Sequence, residues 1–361
     1  MTSYFSPRNA GCRVTEVQLR GLTTLFLEND VVRVGVLVDK GTDIFQFVHK
    51  PTDTDFMVQS PTGIRDPRVF VPTRPSTTQG AFLDYWEGGW PEMFPNAGYI
   101  CTYKGADLGL HGDVSLMPWD WQVVADTADT VSVAFSVRAY RLPLRLEKSL
   151  TLRRGSGALV VRERVTNEGG ETVDFSWGHH PTLGGEFLSA DCVLDVPAAE
   201  LVLPDWQVDP ASRLARGGAG RWPHAPGVDG SMVDLSRVAP AATGSHDLAF
   251  LRGFTEGWYA LTNQARGVGF GMRWDPGVFK WLWFWQVWGG GAGWPWFRSW
   301  YCCGLEPSSS FPPSGLTDQI ARGDQLTLEP GAALDTELLA VAYAGSERVS
   351  RIAPDGEVAR V

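Results

Sequence analysis

Acid–base chemistry could come from three histidines and one glutamate in short, separate motifs. Two of the six histidines, His179 and His180, are adjacent in WGHHPTLGG (177–185); His111 lies in LGLHG, and Glu306 follows an apolar run. Imidazole and carboxyl groups, with ordinary pKa values of about 6.5 and 4.3, suit general acid and base roles near neutral pH. The alternative for each is structural, as a hydrogen-bonded core or loop histidine or as a salt-bridged carboxylate.

Proline shapes the backbone around the histidine pair. Pro181 favours extended backbone at His180 and removes a ladder hydrogen bond, which predicts a strand end or edge. Neighbouring side chains of extended chain point to opposite faces, so only one of the two imidazoles can enter a given cavity. Around His111, Gly109 and Gly112 would allow a turn or a close backbone approach.

Aromatic side chains are concentrated just before Glu306. Seven of the 16 tryptophans lie in residues 279–312, and Trp281, Trp283 and Trp285 alternate as they would on one face of a strand. Such a surface suits a ligand with apolar faces and polar edges, as a sugar has. Ordinary core packing is the alternative for each tryptophan.

Short strands are the elements that must position these groups. Alternating or β-branched runs, each with a turn signal close behind, occupy residues 31–38, 129–140, 144–154 and 158–167. The last three predict an antiparallel meander that ends at the turn 167–172. Long helical periodicity is missing, so we predict an all-β fold, a large antiparallel β-sandwich forming one domain over residues 1–361. Two stretches, 60–80 and 203–231, are predicted to be long loops.

The composition narrows the class of partner. A net charge of -10 and a pI near 5.1 disfavour nucleic acid and anionic membranes, so the expected partner is a small molecule. The five cysteines are odd in number and scattered, which favours reduced thiols in the cytoplasm. We see no signal peptide at the start and no apolar run long enough to span a bilayer.

Four motifs, taken in order, resemble one known family. They are DYWEGGWPEMFPNAG (84–98), LHG (110–112), GHHPTL (178–183) and LEPSSS (305–310). In order and separation they are similar to those of the aldose 1-epimerase (galactose mutarotase-like) family, over most of the chain. The resemblance implies a large antiparallel β-sandwich and cofactor-independent interconversion of sugar anomers, by a monomer or homodimer.

The resemblance also implies residue roles. Glu306 is the base that removes the proton of the anomeric hydroxyl, and His180 is the acid that protonates the ring oxygen, the two on opposite sides of the ring. His111 corresponds to a second family histidine that hydrogen-bonds the sugar. His179 is expected on the far face or as an orienting neighbour.

Further sugar contacts are predicted at four positions. Asp247 is our candidate for an acidic residue that holds sugar hydroxyls in the family, and Glu92 and Trp285 are also expected to contact the sugar. Tyr99 stands where better-known mutarotases carry a sugar-binding arginine, so substrate recognition must differ. An anionic sugar could instead be bound by three arginines of the 60–80 loop, Arg65, Arg68 and Arg74. The alternative is that these arginines belong to a solvated loop.

Three rival functions remain open from the sequence. A cupin-like metalloenzyme would use His111, His180 and Glu306 as a two-histidine, one-carboxylate site. A non-catalytic sugar-binding protein would keep the tryptophan-rich pocket without turnover. A glycosidase would need two carboxylates, and Glu92 with Glu306 is the one pairing we consider.

Overall fold

Short antiparallel strands dominate the computed structural model, which describes residues 4–74, 81–197, 199–311 and 314–361. The strands of the first half are β1 (Arg13–Leu19), β2 (Leu22–Glu28), β3 (Val32–Leu37), β4 (Asp43–His49), β5 (Thr54–Asp55), β6 (Glu92–Met93), β7 (Cys101–Tyr103), β8 (Ala106–Leu108), β9 (Asp120–Asp126), β10 (Thr130–Arg138), β11 (Leu144–Arg153), β12 (Ala158–Asn167), β13 (Val173–Phe175), β14 (Gly178–His179) and β15 (Thr182–Leu183). Those of the second half are β16 (Cys192–Asp195), β17 (Glu200–Val202), β18 (Ala219–Arg221), β19 (His224–Pro226), β20 (Met232–Asp234), β21 (Ser245–Arg252), β22 (Gly257–Asn263), β23 (Val268–Trp274), β24 (Trp281–Trp288), β25 (Tyr301–Ser308), β26 (Leu326–Leu328), β27 (Ala333–Ala344), β28 (Val349–Ile352) and β29 (Val358–Arg360).

Helical structure is limited to short pieces. The α-helices are α1 (Phe82–Tyr85) and α2 (Leu316–Arg322), and single 3₁₀ turns occupy Lys50–Thr52, Val114–Leu116 and Ala241–Thr243. No helix in the described part of the chain is long and apolar enough to cross a membrane.

An eight-stranded sheet contains the predicted meander. Its order is β16-β22-β23-β27-β12-β11-β10-β9, and β10, β11 and β12 are consecutive antiparallel neighbours. Burial alternates along β11, where Leu146 and Leu150 face inward and Arg145 faces outward, because successive side chains of a strand point to opposite faces. The meander and its end near residue 167 are confirmed.

A ten-stranded sheet lies on the other side of the core. Its order is β20-β19-β18-β17-β21-β24-β25-β14-β6, with β15 also paired to β25. Both faces of its central strand β24 are covered. Leu282 and Phe284 enter the main core shared with the eight-stranded sheet, whereas Trp281, Trp283 and Trp285 enter a second apolar cluster on the opposite face. The alternation of tryptophans is therefore a real strand face, and it is turned away from the main core.

A third sheet completes the sandwich. It contains β1 to β5 in sequence order, and Leu25 and Val34 of this sheet also belong to the main core. Three two-stranded sheets lie outside the large sheets; they pair β13 with β26, β28 with β29 and β7 with β8. The predicted all-β antiparallel sandwich is confirmed.

The two predicted loops have different outcomes. Residues 60–74 contain no strand, as predicted, and residues 75–80 lie outside the described residues. The prediction of one long loop over 203–231 is wrong, because β18 and β19 extend the edge of the ten-stranded sheet there. Their glycine and proline content is typical of loops, but Leu214 and Ala225 are buried in the main core and hold the segment against the sheet.

Candidate active site

A cavity of about 210 Å³ opens on the face of the ten-stranded sheet that carries the second apolar cluster. This is smaller than the ~300–1,000 Å³ typical of pockets for drug-sized ligands, so it suits a small molecule. Strands β21, β24 and β25 form its floor, while α1, the turn at His111 and the segment 203–213 cover it. The titratable groups in its wall are Tyr99, His111, His180, His246 and Glu306.

His180 enters the cavity from the break between β14 and β15. Its backbone N–H donates to the carbonyl of Pro91 at 3.1 Å, and the carbonyl of Pro181 accepts from the N–H of Leu305 at 3.2 Å. The Thr182 hydroxyl lies 3.3 Å from the His180 carbonyl, to which it donates, and 2.9 Å from Nδ1 of the imidazole. The hydroxyl oxygen therefore accepts from Nδ1–H, which leaves Nε2 with its lone pair turned into the cavity.

Glu306 faces that nitrogen. The distance from Glu306 Oε1 to His180 Nε2 is 3.5 Å. The carboxyl group folds back over Gly304 of the same strand, where an added Cβ would lie 2.2 Å from Oε1. A glycine is thus required at residue 304 for the carboxyl group to reach the imidazole.

The electrostatics of this pair differ from the expectation drawn from free side chains. Burial, reinforced by the nearby His111 imidazole, lowers the pKa of His180 to about 3. Burial also raises the pKa of Glu306 well above its ordinary value of 4.5. Burial therefore favours the neutral form of both groups, a protonated carboxyl and an unprotonated imidazole, over an ion pair.

The relative placement of the two groups is also a correction. An acid and a base on opposite sides of the sugar ring were expected, and the structure instead holds His180 and Glu306 side by side. Adjacent groups can serve the same reaction, because the anomeric hydroxyl and the ring oxygen are bonded to the same carbon.

His111 sits on a strained turn at the rim. Its φ of 58° lies in the left-handed region that non-glycine residues rarely adopt, and such strain is concentrated at functional sites. Gly112 beside it approaches the Phe94 carbonyl so closely that a Cβ would lie 2.1 Å from the oxygen. The His111 Nδ1–H donates to the Ala97 carbonyl at 2.6 Å, which leaves Nε2 as an acceptor. Burial lowers the pKa of His111 to about 4.

His179 and Glu92 are not among the residues that line the cavity. For Glu92 this corrects its prediction as a sugar contact, whereas His179 lies on the far face, one of the two placements expected for it. Strand alternation turns His179 to the opposite face, where Nδ1 accepts from the Trp90 indole at 3.1 Å and Nε2 lies 3.1 Å from Glu163. Glu92 accepts from Lys148 at 3.0 Å, so its carboxylate already has a buried cationic partner. We call Glu92, Lys148, Glu163 and His179 the rear cluster.

The rear cluster is also where three metal-ligating side chains come close together. Among the described residues, Glu92, Glu163 and His179 place ligand atoms within 4.8 Å of one another, whereas the His111, His180 and Glu306 set of the cupin hypothesis is not grouped in this way. An indole N–H can only donate, so His179 Nδ1 is unprotonated and Nε2 carries the proton that faces Glu163. With that proton and the Lys148 ammonium in place, the rear cluster does not fit a metal ion.

Asp247 is a further correction. Its carboxylate accepts from the Arg213 guanidinium at 2.7 Å, the Arg213 backbone N–H at 2.6 Å, and the hydroxyls of Ser212 and Ser245. These four donors satisfy it on the face of β21 turned away from the cavity. The cavity face is occupied instead by His246, which the sequence argument missed.

Strand alternation, which separates the histidine pair, also places His246 in the cavity once the pairing of β21 with β24 is known. In the antiparallel register of β21 and β24, Leu248 lies opposite Trp285, so His246, two residues away, shares the cavity face. The Trp285 indole donates to His246 Nε2 at 2.7 Å, which places the His246 proton on Nδ1. That Nδ1 is buried without a hydrogen-bond partner and lies 3.8 Å from Asp209.

The remaining predicted residues divide between wall and surface. Tyr99 and Trp285 line the cavity, together with Trp283, whereas Trp281 stacks on Phe311 outside it. Three further aromatic residues of the wall, Phe82, Trp86 and Trp296, were not predicted. The arginines Arg65, Arg68 and Arg74 are not in the wall. Arg65 donates to the Asp84 carbonyl, and Arg68 pairs with Asp66.

Solved structures share this architecture. A protein of Klebsiella pneumoniae, provisionally named an aldose 1-epimerase, matches with a TM-score of 0.69 and 15% identity over 92% of this chain and 84% of its own. A galactose mutarotase related enzyme from Lactobacillus acidophilus matches with a TM-score of 0.60 and 18% identity, over 91% and 100%. A galactose mutarotase-like protein from Clostridium acetobutylicum gives 0.61 and 13%, over 92% and 99%. The fold is therefore the galactose mutarotase-like sandwich.

A sequence comparison, unlike the structural one, assigns the chain to a family. Residues 19–340 match the family described as a domain of unknown function, DUF4432, and the chain belongs to that family. No curated protein matches the sequence significantly.

Proposed function

We propose that the protein is a cofactor-independent aldose 1-epimerase that interconverts the anomers of a sugar. The observation that carries the proposal is the 3.5 Å approach of His180 Nε2 to Glu306 Oε1 inside a tryptophan-lined cavity. Opening a sugar ring requires one group to take the proton of the anomeric hydroxyl while another protonates the ring oxygen. The fold shared with mutarotase-like proteins supports the same reaction class.

The pair holds the one proton that the reaction exchanges. A protonated Glu306 beside a neutral His180 has the same proton count as a carboxylate beside an imidazolium, so one transfer across their contact prepares the acid and the base. The carboxylate then takes the anomeric proton, the imidazolium protonates the ring oxygen, and the C1–O bond breaks to give the open-chain aldehyde. Rotation about C1–C2 and closure on the other face reverse both transfers and restore the pair.

The surrounding contacts favour this division of roles. The Thr182 hydroxyl accepts from His180 Nδ1–H and so can stabilise the imidazolium when it forms. Gly304 keeps the carboxyl group within reach of it. His111 Nε2 is free to accept from a sugar hydroxyl, and the faces of Trp283 and Trp285 suit the C–H surface of a ring.

Anomeric exchange measured by NMR tests the proposal, across neutral, acidic and phosphorylated sugars. Acceleration over the uncatalysed rate is expected for at least one sugar, and Glu306→Gln and His180→Gln should each reduce it at least a hundredfold. Glu147→Gln, which changes a half-buried carboxylate of β11 outside the cavity wall, should leave the rate unchanged. Binding without acceleration would instead favour a non-catalytic sugar-binding protein.

A further inference from the structure

Several polar groups of the cavity wall are already hydrogen-bonded within the protein. The Trp283 indole donates to the Ser310 carbonyl at 2.7 Å, and the Trp285 indole donates to His246. Trp86 and His246 each keep one buried N–H without a partner, and both of these groups are donors. The wall is therefore richer in donors and apolar surface than in acceptors.

Acceptors are scarce in the described part of the wall. Beyond the reacting pair, the side-chain acceptors are His111 Nε2 and the Tyr99 hydroxyl oxygen. A hexopyranose has four hydroxyls besides the anomeric one, and each brings one donor. A buried donor without an acceptor costs about 1–3 kcal/mol, so a fully hydroxylated hexose is poorly matched to this cavity.

Aliphatic and aromatic side chains form much of the rest of the wall. Phe82, Leu83, Leu110, Val208 and Leu248 are all in the wall. Such side chains pack favourably against methyl, methylene and ring C–H groups.

Cations are also missing from the described wall. It contains no lysine or arginine. Arg213, on the covering segment 203–213, is engaged by Asp247 on the other face of β21. A carboxylate, phosphate or sulfonate on the sugar would lose its hydration without gaining a counter-charge.

We infer that the substrate is a neutral deoxy sugar, because the cavity offers an acid–base pair, few acceptors, no cation in the described wall and an apolar lining. The inference rests on the proposed function and names the substrate class of the same site. A methyl or methylene group of the sugar would lie against the apolar side chains, and its remaining hydroxyls would use His111 and Tyr99.

Matched sugars test the inference on the unmodified protein. The pairs are galactose with 6-deoxygalactose, mannose with 6-deoxymannose and glucose with 2-deoxyglucose, and glucuronate and glucose 6-phosphate are the anionic probes. We expect kcat/KM for anomeric exchange, and affinity by calorimetry, to favour the deoxy member of at least one pair by ten- to a hundredfold, the range over which an apolar pocket rejects an added hydroxyl. Equal or better use of every hydroxylated member, or preference for an anion, would overturn the inference.

The two proposals fail separately. Absence of exchange for every sugar would refute the proposed function, while the affinity ratios would still decide between deoxy and hydroxylated ligands. A matched pair of variants locates the preference: Leu248→Asn, which adds an acceptor, should reduce the deoxy preference about tenfold, and Leu248→Met should retain it. An unchanged preference in a folded Leu248→Asn protein would contradict the role given to this wall.

Discussion

The position of the Glu306 carboxyl group depends on the absence of a side chain at Gly304, two residues earlier. Glu306 and Gly304 lie on the same face of β25, and the Glu306 oxygen occupies the space that a Cβ at residue 304 would fill. The same alternation places the two adjacent histidines on opposite faces, with His180 in the cavity and His179 in the rear cluster. At the residue scale, the proposed catalysis depends on which of two adjacent side chains faces the cavity.

Gly304→Ala should therefore impair the reaction. The added methyl group must displace the Glu306 carboxyl from its contact with His180, and a shift of about 1 Å in a reacting group can lower a rate about a hundredfold. We expect a reduced kcat in the NMR exchange assay with little change in affinity. Gly170→Ala is the matched control, since nothing lies near an added Cβ there. Full activity in Gly304→Ala would show that Glu306 is not the base.

Among the elements, the segment 203–213 lies against the cavity without regular secondary structure. It contributes Val208 to the wall, and it is tied to β21 through Asp247, which accepts from both Ser212 and Arg213. The buried Asp247 carboxylate thus holds the segment 203–213 in place and does not itself line the cavity.

Arg213→Met should loosen this cover. The variant leaves the Asp247 carboxylate without its cationic partner, so we expect KM to rise several-fold while kcat stays close to the unmodified value, because no reacting group moves. Arg216→Met is the control, three residues further along the chain, where the arginine is exposed and donates to Gln207. A fall in kcat with unchanged KM would contradict the covering role.

The elements also show what the sequence can predict. The meander and the tryptophan strand followed from alternation, since burial on one or both faces leaves a periodic pattern. Strands β18 and β19 did not, because edge pairing and a few buried contacts outweigh a composition rich in glycine and proline. Asp247 was chosen over His246 because the sequence shows the dipeptide but not which of its members faces the cavity, a property that depends on pairing with β24.

For the whole molecule, the cavity has consequences for stability against acid. Burial lowers the pKa of His111 and His246 to about 4 and that of His180 to about 3, from an ordinary 6.5. Between those values and 6.5 the unfolded chain binds protons that the folded chain does not, so these histidines make the folded state lose stability as the pH falls below 6.5. Glu306 acts with the opposite sign above 4.5, because its folded pKa is raised.

Denaturant unfolding at several pH values should reveal both effects. We expect the free energy of unfolding to decline as the pH falls from 6.5 towards 4. In Glu306→Gln the opposing contribution is removed, so the variant should gain stability relative to the unmodified protein as the pH rises from 4.5, and the two should converge below it. If the variant and the unmodified protein differed in stability by the same amount at pH 7 and at pH 4, burial would not be raising the pKa of the Glu306 carboxyl.

The rear cluster bears on how a ligand is received. His179 is fixed by Trp90 and Glu163 on one side of β14, and the next residue along the backbone carries the imidazole that faces the cavity. The orientation of the His180 imidazole is thus established when the chain folds. The loss of its conformational freedom then belongs to folding rather than to complex formation. A sugar would then enter a site whose proposed acid, His180, has little rotational entropy left to lose.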